Sequence, residues 1–198
     1  AVLRRYLGPA PYRELVAHPE PQVGVAYGLG ATPLGGMLVP VEVLVMPGRG
    51  ELLVTGQVGE ILQESARAAL SWVRARASQF GLQPDFAERL DVHVHLPEGA
   101  LPKDGPSAGL ALVVALVSAV TGRPVRADVA LTGEITLRGR VLPVGGLRQK
   151  VLAAQRVGLR GLIAPAANRA EAAQLPPSAT RRLTMHWVES VEQALALA

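Results

Sequence analysis

The sequence predicts an α+β (mixed α/β) fold, in which an N-terminal meander of strands is followed by alternating strands and helices. Three observations predict it. The first half carries short runs rich in Val and Leu, separated by glycine clusters, the pattern of strands joined by tight turns. From Asp91 onward, strand-like and helix-like periods alternate to the C-terminus. The chain has 198 residues, 49% hydrophobic and 18% charged, which is enough to bury one core and excludes a largely disordered chain.

Residues 1–21 include Pro9, Pro11, Pro19 and Pro21 and have little periodicity, so they read as a linker or the frayed end of a neighbouring domain. The domain proper is expected over 22–198. Stretches 22–29, 37–46 and 51–57 read as three strands, and their short connections predict antiparallel pairing. In 60–79, Ile61, Leu62, Ala66, Ala69, Leu70 and Val73 fall at helical spacing, and Gly81 marks the stop. Strands are then expected at 91–96, 128–131, 161–165 and 183–188, with a hairpin arm over 135–142. Helices are expected at 107–121, where the run is apolar enough to be buried on all sides, at 146–157 before Gly158, at 167–173 and at 190–197.

Composition removes several function classes. The longest apolar run, 110–117, is far short of the ~18 residues that span a bilayer, so no membrane partner is expected. Arg4 and Arg5 have no apolar segment behind them, and no secretory leader is expected. The absence of cysteine excludes disulfides, a thiolate zinc site and a cysteine nucleophile. The net charge of +4 comes from arginines such as Arg126, Arg138, Arg140, Arg148, Arg156 and Arg160, dispersed among acids and apolar residues; with only 4% aromatics, nucleic acid is not an expected partner. Of the 20 basic residues only Lys103 and Lys150 are lysines. Arginine cannot give up its proton in a protein, whereas a desolvated lysine can become a base, so these two positions draw attention. The single asparagine, the arginines and the 16 prolines fit a heat-adapted source.

The stretch Lys103-Asp104-Gly105-Pro106-Ser107-Ala108-Gly109 joins an expected strand to the apolar helix. A hydroxyl there sits at a helix N-terminus, where N–H groups favour developing negative charge. Ser107 is therefore either a cap or a nucleophile, and a nucleophile needs a base within reach. Lys103, Lys150 and four histidines are available. Lys150 opens a helix beside apolar Val151 and Leu152, where burial would lower its pKa; Lys103, on the approaching turn, reads equally well as a solvated charge. The same serine satisfies GxSxG, with Asp128 and His186 following in the order of an α/β-hydrolase triad. His93 and His95 share one strand face but have no third ligand at suitable spacing, so no metal is expected. Gly28-Leu29-Gly30 is not a dinucleotide loop, because Pro33 replaces the last glycine and no helix pattern follows.

Three longer stretches carry a family resemblance: Leu101-Pro102-Lys103-Asp104-Gly105-Pro106-Ser107-Ala108-Gly109, Leu131-Thr132-Gly133-Glu134-Ile135-Thr136-Leu137-Arg138-Gly139, and Val141-Leu142-Pro143-Val144-Gly145-Gly146-Leu147-Arg148-Gln149-Lys150. Together they resemble the proteolytic domain of Lon, the ATP-dependent protease with a Ser-Lys dyad. The resemblance runs from about Val54 to the C-terminus and includes Asp91-Val92-His93-Val94-His95 and Pro97-Glu98-Gly99. It implies Ser107 as nucleophile, Lys150 as base, Thr132 as the residue that holds the lysine, and Asp104 in the loop that switches between active and inactive arrangements. It further implies unfolded or damaged polypeptides as substrates, a homo-hexameric ring and a cytoplasmic location. No GxxxxGK[ST] phosphate loop is present, so no cofactor is expected in this chain; ATP and Mg would belong to a separate ATPase module N-terminal to it. Departures lie at Tyr27-Gly28-Leu29-Gly30-Ala31-Thr32-Pro33, where an acidic turn with tryptophan is usual, and at Arg148-Gln149. A divergent Lon-like member would also fit them.

Overall fold

The computed structural model describes residues 17–32, 35–83, 85–97 and 103–198. The linker expected over 1–21 and the motif residues Pro33, Glu98, Gly99, Leu101 and Pro102 therefore fall wholly or mostly outside the described residues. β1 (Val25–Thr32) and β2 (Gly35–Pro47) form the expected antiparallel pair, with Leu29 opposite Leu38 and Val25 opposite Glu42. β3 (Leu52–Thr55) does not complete a meander beside β2. Instead the chain runs through α1 (Glu60–Arg74) and α2 (Phe86–Arg89) into β4 (Leu90–His95), which inserts between them, antiparallel to β2 and parallel to β3.

The reason for this insertion is burial. β4 buries Val92 and Val94 at 3% and 0% exposure, while β3 alternates between exposed and half-buried positions and tolerates the sheet edge. A crossover that carries a helix is what a parallel β3–β4 pair requires. The Asp91 carboxylate fastens the arrangement, accepting hydrogen bonds from the N–H groups of Arg49 (2.7 Å) and Glu51 (2.9 Å) in the β2–β3 connection. Those two bonds hold its pKa below the usual carboxylate value.

The second half follows the expected alternation. A 3-10 turn at Pro106–Ala108 precedes α3 (Gly109–Thr121), so the predicted helix begins two residues late. β5 (Val129–Leu131) leads to the small hairpin of β6 (Glu134–Ile135) and β7 (Val141–Leu142), and α4 (Leu147–Arg156) follows. β8 (Gly161–Pro165), α5 (Arg169–Ala172), α6 (Pro177–Thr180), β9 (Thr184–Val188) and α7 (Val191–Leu195) complete the chain. The Ser190 hydroxyl caps α7 by accepting from the Gln193 N–H at 3.3 Å. The short helices α2 and α6 were not predicted, because four residues are too few to show a helical period.

Among the described residues, seven of the nine strands form one sheet in the order β3-β4-β2-β1-β5-β8-β9, mostly in parallel pairs, and β6 and β7 pair separately. One face, with Ala26, Val39, Val41 and Val43, packs against α1 and α3. The other, with Tyr27, Leu29, Leu38 and Ala130, packs against α4. Every α3 residue from Gly109 to Ser118 is buried, as its all-apolar surface demands. Leu110, Leu112 and Leu116 at 0% exposure each contribute about 2 kcal/mol through burial alone. No helix among the described residues is long and apolar enough to cross a membrane.

The β1–β2 hairpin presses directly onto α4. A Cβ on Gly36 would lie 2.0 Å from the Gln149 carbonyl oxygen, and the Gly36 carbonyl accepts from Arg156 Nη2 at 2.8 Å. Backbone on backbone leaves nothing flexible to yield, so Gly36→Ala is expected to cost about 1–3 kcal/mol and to lower the melting temperature by roughly 5 °C or more. An unchanged thermal melt would show that the hairpin can lift off the helix.

Candidate active site

Ser107, Thr132 and Lys150, far apart in the sequence, meet at the C-terminal end of β5. Ser107 arrives from one face of the sheet, in the turn ahead of α3, and Lys150 from the other, in the second turn of α4. Thr132, the first residue after β5, stands between them. The Ser107 turn is fixed by a two-way exchange with Gly133, whose N–H donates to the Ser107 carbonyl at 2.9 Å and whose carbonyl accepts from the Leu110 N–H at 2.9 Å. Gly133 has no room for a side chain, since a Cβ would come within 2.8 Å of Val141.

Lys150 is 2% exposed and Thr132 is 0% exposed. Lys150 Nζ donates to Thr132 Oγ1 at 3.0 Å, and Thr132 Oγ1 in turn donates, at a long 3.5 Å, to the Ser107 carbonyl oxygen. Burial lowers the Lys150 pKa from 10.5 to about 8, with the Glu171 carboxylate pulling weakly the other way. At neutral pH a usable fraction of the amine is thus neutral. Ser107 and Lys150 line one cleft of about 410 Å³, whose apolar wall includes Leu29, Met37, Val39, Leu62 and Leu96. Among the described residues the Ser107 hydroxyl has no hydrogen-bond partner, which leaves it free to rotate toward an incoming group.

Asp104 lines the same cleft, and its Oδ1 accepts from the Leu62 N–H (3.0 Å) and the Gly105 N–H (2.8 Å). This binds the serine loop to the first turn of α1, where a carboxylate also meets the positive end of the helix dipole. Lys103 is not a solvated charge. It is 7% exposed, its Nζ donates to the Gly56 carbonyl at 3.4 Å, and its backbone bonds to Gln57 and Gly59.

The other candidates fall elsewhere. Asp128 forms a two-point pair with Arg126, both contacts 3.1 Å, and this guanidinium holds its pKa below the usual value. His186 sits on β9 opposite Ile163, and neither Asp128 nor His186 lines the cleft. His93 and His95 share the Thr55 hydroxyl at 2.9 and 2.7 Å, and no group of three metal-ligating side chains occurs among the described residues. Gly28-Leu29-Gly30 lies inside β1 as paired strand. One residue that supports the cleft wall from behind escaped the sequence reading. Asn168 is 5% exposed and bonds to the backbone of Val144 in the cleft wall, and its only sequence signal is that it is the single asparagine of the chain.

Comparison with known proteins gives the class. The family described as Lon protease (S16) C-terminal proteolytic domain matches residues 1–198. The chain is 52% identical over 196 residues to Lon protease 2 of Thermus thermophilus, covering 99% of this chain and 24% of that protein. It is 50% identical over 196 residues to Lon protease of Escherichia coli, covering 99% and 25% respectively. Lon protease of Chloroflexus aggregans is 48% identical over 198 residues, or 100% and 24%. The fold and these matches define the catalytic domain of a serine protease. The chain belongs to the Lon protease family, as its C-terminal proteolytic domain. It spans about a quarter of the length of the curated relatives it matches.

Proposed function

We propose that this domain is an endopeptidase that cleaves unfolded polypeptides with Ser107 as nucleophile and Lys150 as general base. The observation that carries this reading is a buried lysine, held by a neutral hydroxyl rather than a carboxylate, in the same cleft as a serine hydroxyl that makes no hydrogen bond among the described residues. The neutral Lys150 amine takes the Ser107 proton as Oγ attacks the scissile carbonyl carbon. The oxyanion develops at the N-terminal end of α3, where the positive end of the helix dipole favours negative charge. The resulting ammonium returns its proton to the leaving amine, and water then releases the acyl group by the same steps in reverse. Thr132 keeps the amine aimed, and Asp104 latches the serine loop to α1. The apolar wall favours substrates with an apolar residue next to the scissile bond, a side chain that folded proteins bury and unfolded ones expose.

The setting we propose is a cytoplasmic six-membered ring whose clefts face a shared chamber, coupled to an ATPase module that binds ATP and Mg outside this chain. A small fluorophosphonate tests the site itself. It is expected to add once per chain, at Ser107, faster as pH rises, and peptide mapping by mass spectrometry reads the position. No adduct, or an adduct at another residue, would refute the assignment.

A further inference from the structure

Outside the Ser107–Thr132–Lys150 group, Asn168, in the turn between β8 and α5, is a buried polar side chain tied to the cleft wall. Its Oδ1 accepts from the Val144 N–H at 3.0 Å, and its Nδ2 donates to the Val144 carbonyl at 2.8 Å and to Glu171 Oε2 at 3.0 Å. Both amide hydrogens are used, and the group is 5% exposed. Asparagine and its longer homologue are the side chains that present a donor and an acceptor side by side, as a peptide group does. Asn168 therefore pairs with Val144 as a neighbouring strand would.

Val144 has need of such a partner. Pro143, Val144 and Gly145 line the cleft beside Ser107 and Lys150, yet they belong to no strand and link β7 to the N-terminus of α4. A loop of this kind, carrying two glycines at Gly145 and Gly146, would otherwise sample many conformations. We propose that Asn168 is a positioning residue for proteolysis, fixing the 143–145 segment as a rigid wall against which the substrate is seated. This rests on the reading of the cleft as the protease site. Ser107 and Lys150 have their own supports, Gly133 and Thr132. Among the described residues the one link from Asn168 to the pair runs through Glu171, the lesser influence on Lys150, so Asn168 acts chiefly on substrate binding.

The test uses Asn168→Asp, which keeps size but sets an oxygen against the Val144 carbonyl, together with Asn168→Ala, both checked for folding by circular dichroism. For a fluorogenic peptide with an apolar residue before the scissile bond, KM is expected to rise at least tenfold in each variant, with kcat changing less. Labelling of Ser107 by a small fluorophosphonate, which needs no wall, is expected to stay within about threefold of wild type. In wild type, the Val144 amide hydrogen is expected to exchange with solvent as slowly as those of β5. Unchanged KM, labelling that falls in parallel with peptide cleavage, fast exchange at Val144, or failure of both variants to fold would each overturn the proposal. Absence of labelling in wild type would instead refute the serine site, which separates the two failures.

Discussion

Ser107→Ala is expected to abolish peptide hydrolysis, lowering kcat/KM by at least about 10³-fold, while leaving the fold nearly intact. The hydroxyl is half-buried and makes no hydrogen bond among the described residues, so its removal leaves no buried partner unsatisfied. The turn around it is held by backbone bonds to Gly133, which alanine preserves. The melting temperature should move by only a few degrees. Hydrolysis of an unfolded protein and of a fluorogenic peptide, measured beside wild type, checks this. Turnover above a trace in the folded variant would exclude serine catalysis.

Lys150→Met is expected to be inactive and, at neutral pH, more stable than wild type. Burial lowers the lysine pKa to about 8 from 10.5. The folded state thus binds this proton more weakly than the unfolded chain does, so stability rises with pH between about 8 and 10.5 and is lowest below pH 8, where both states carry the charge. That difference corresponds to about 3 kcal/mol of destabilisation at pH 7, which methionine, similar in length and uncharged, relieves in part while leaving Thr132 without its donor. Wild-type kcat/KM should rise about tenfold per pH unit on the acid side and level off above about pH 8, well beyond the ~6.5 where a histidine base would level. Lys150→Arg should be both inactive and destabilised, because its guanidinium stays charged in a dry site. A profile flat from pH 6 to 9, or appreciable turnover by Lys150→Arg, would show that the lysine is not the base.

The sequence by itself determined much of this protein. The periods of two and 3.6 residues located most strands and helices, because burial of one face repeats along the chain whatever its partner. The apolar run ahead of Gly122 could only be a helix buried on all sides, and it is. The scarcity of lysine narrowed the search for a base to positions 103 and 150, since arginine cannot give up its proton. Tertiary structure alone decided what stands beside what. β4 displaced β3 from β2 because Val92 and Val94 needed the interior more than β3 did, a competition between segments about 40 residues apart that no local window contains. Lys103 and Lys150 look alike as letters, but one is bonded to the Gly56 carbonyl and the other to a threonine hydroxyl in a dry pocket. Asn168 carries no periodic signal at all, and its role exists only because β8 delivers its amide to the backbone of Val144, 24 residues earlier in the chain. Periodicity is a property of one segment in water, whereas a proton's affinity or a loop's rigidity depends on the other segments that exclude water from it.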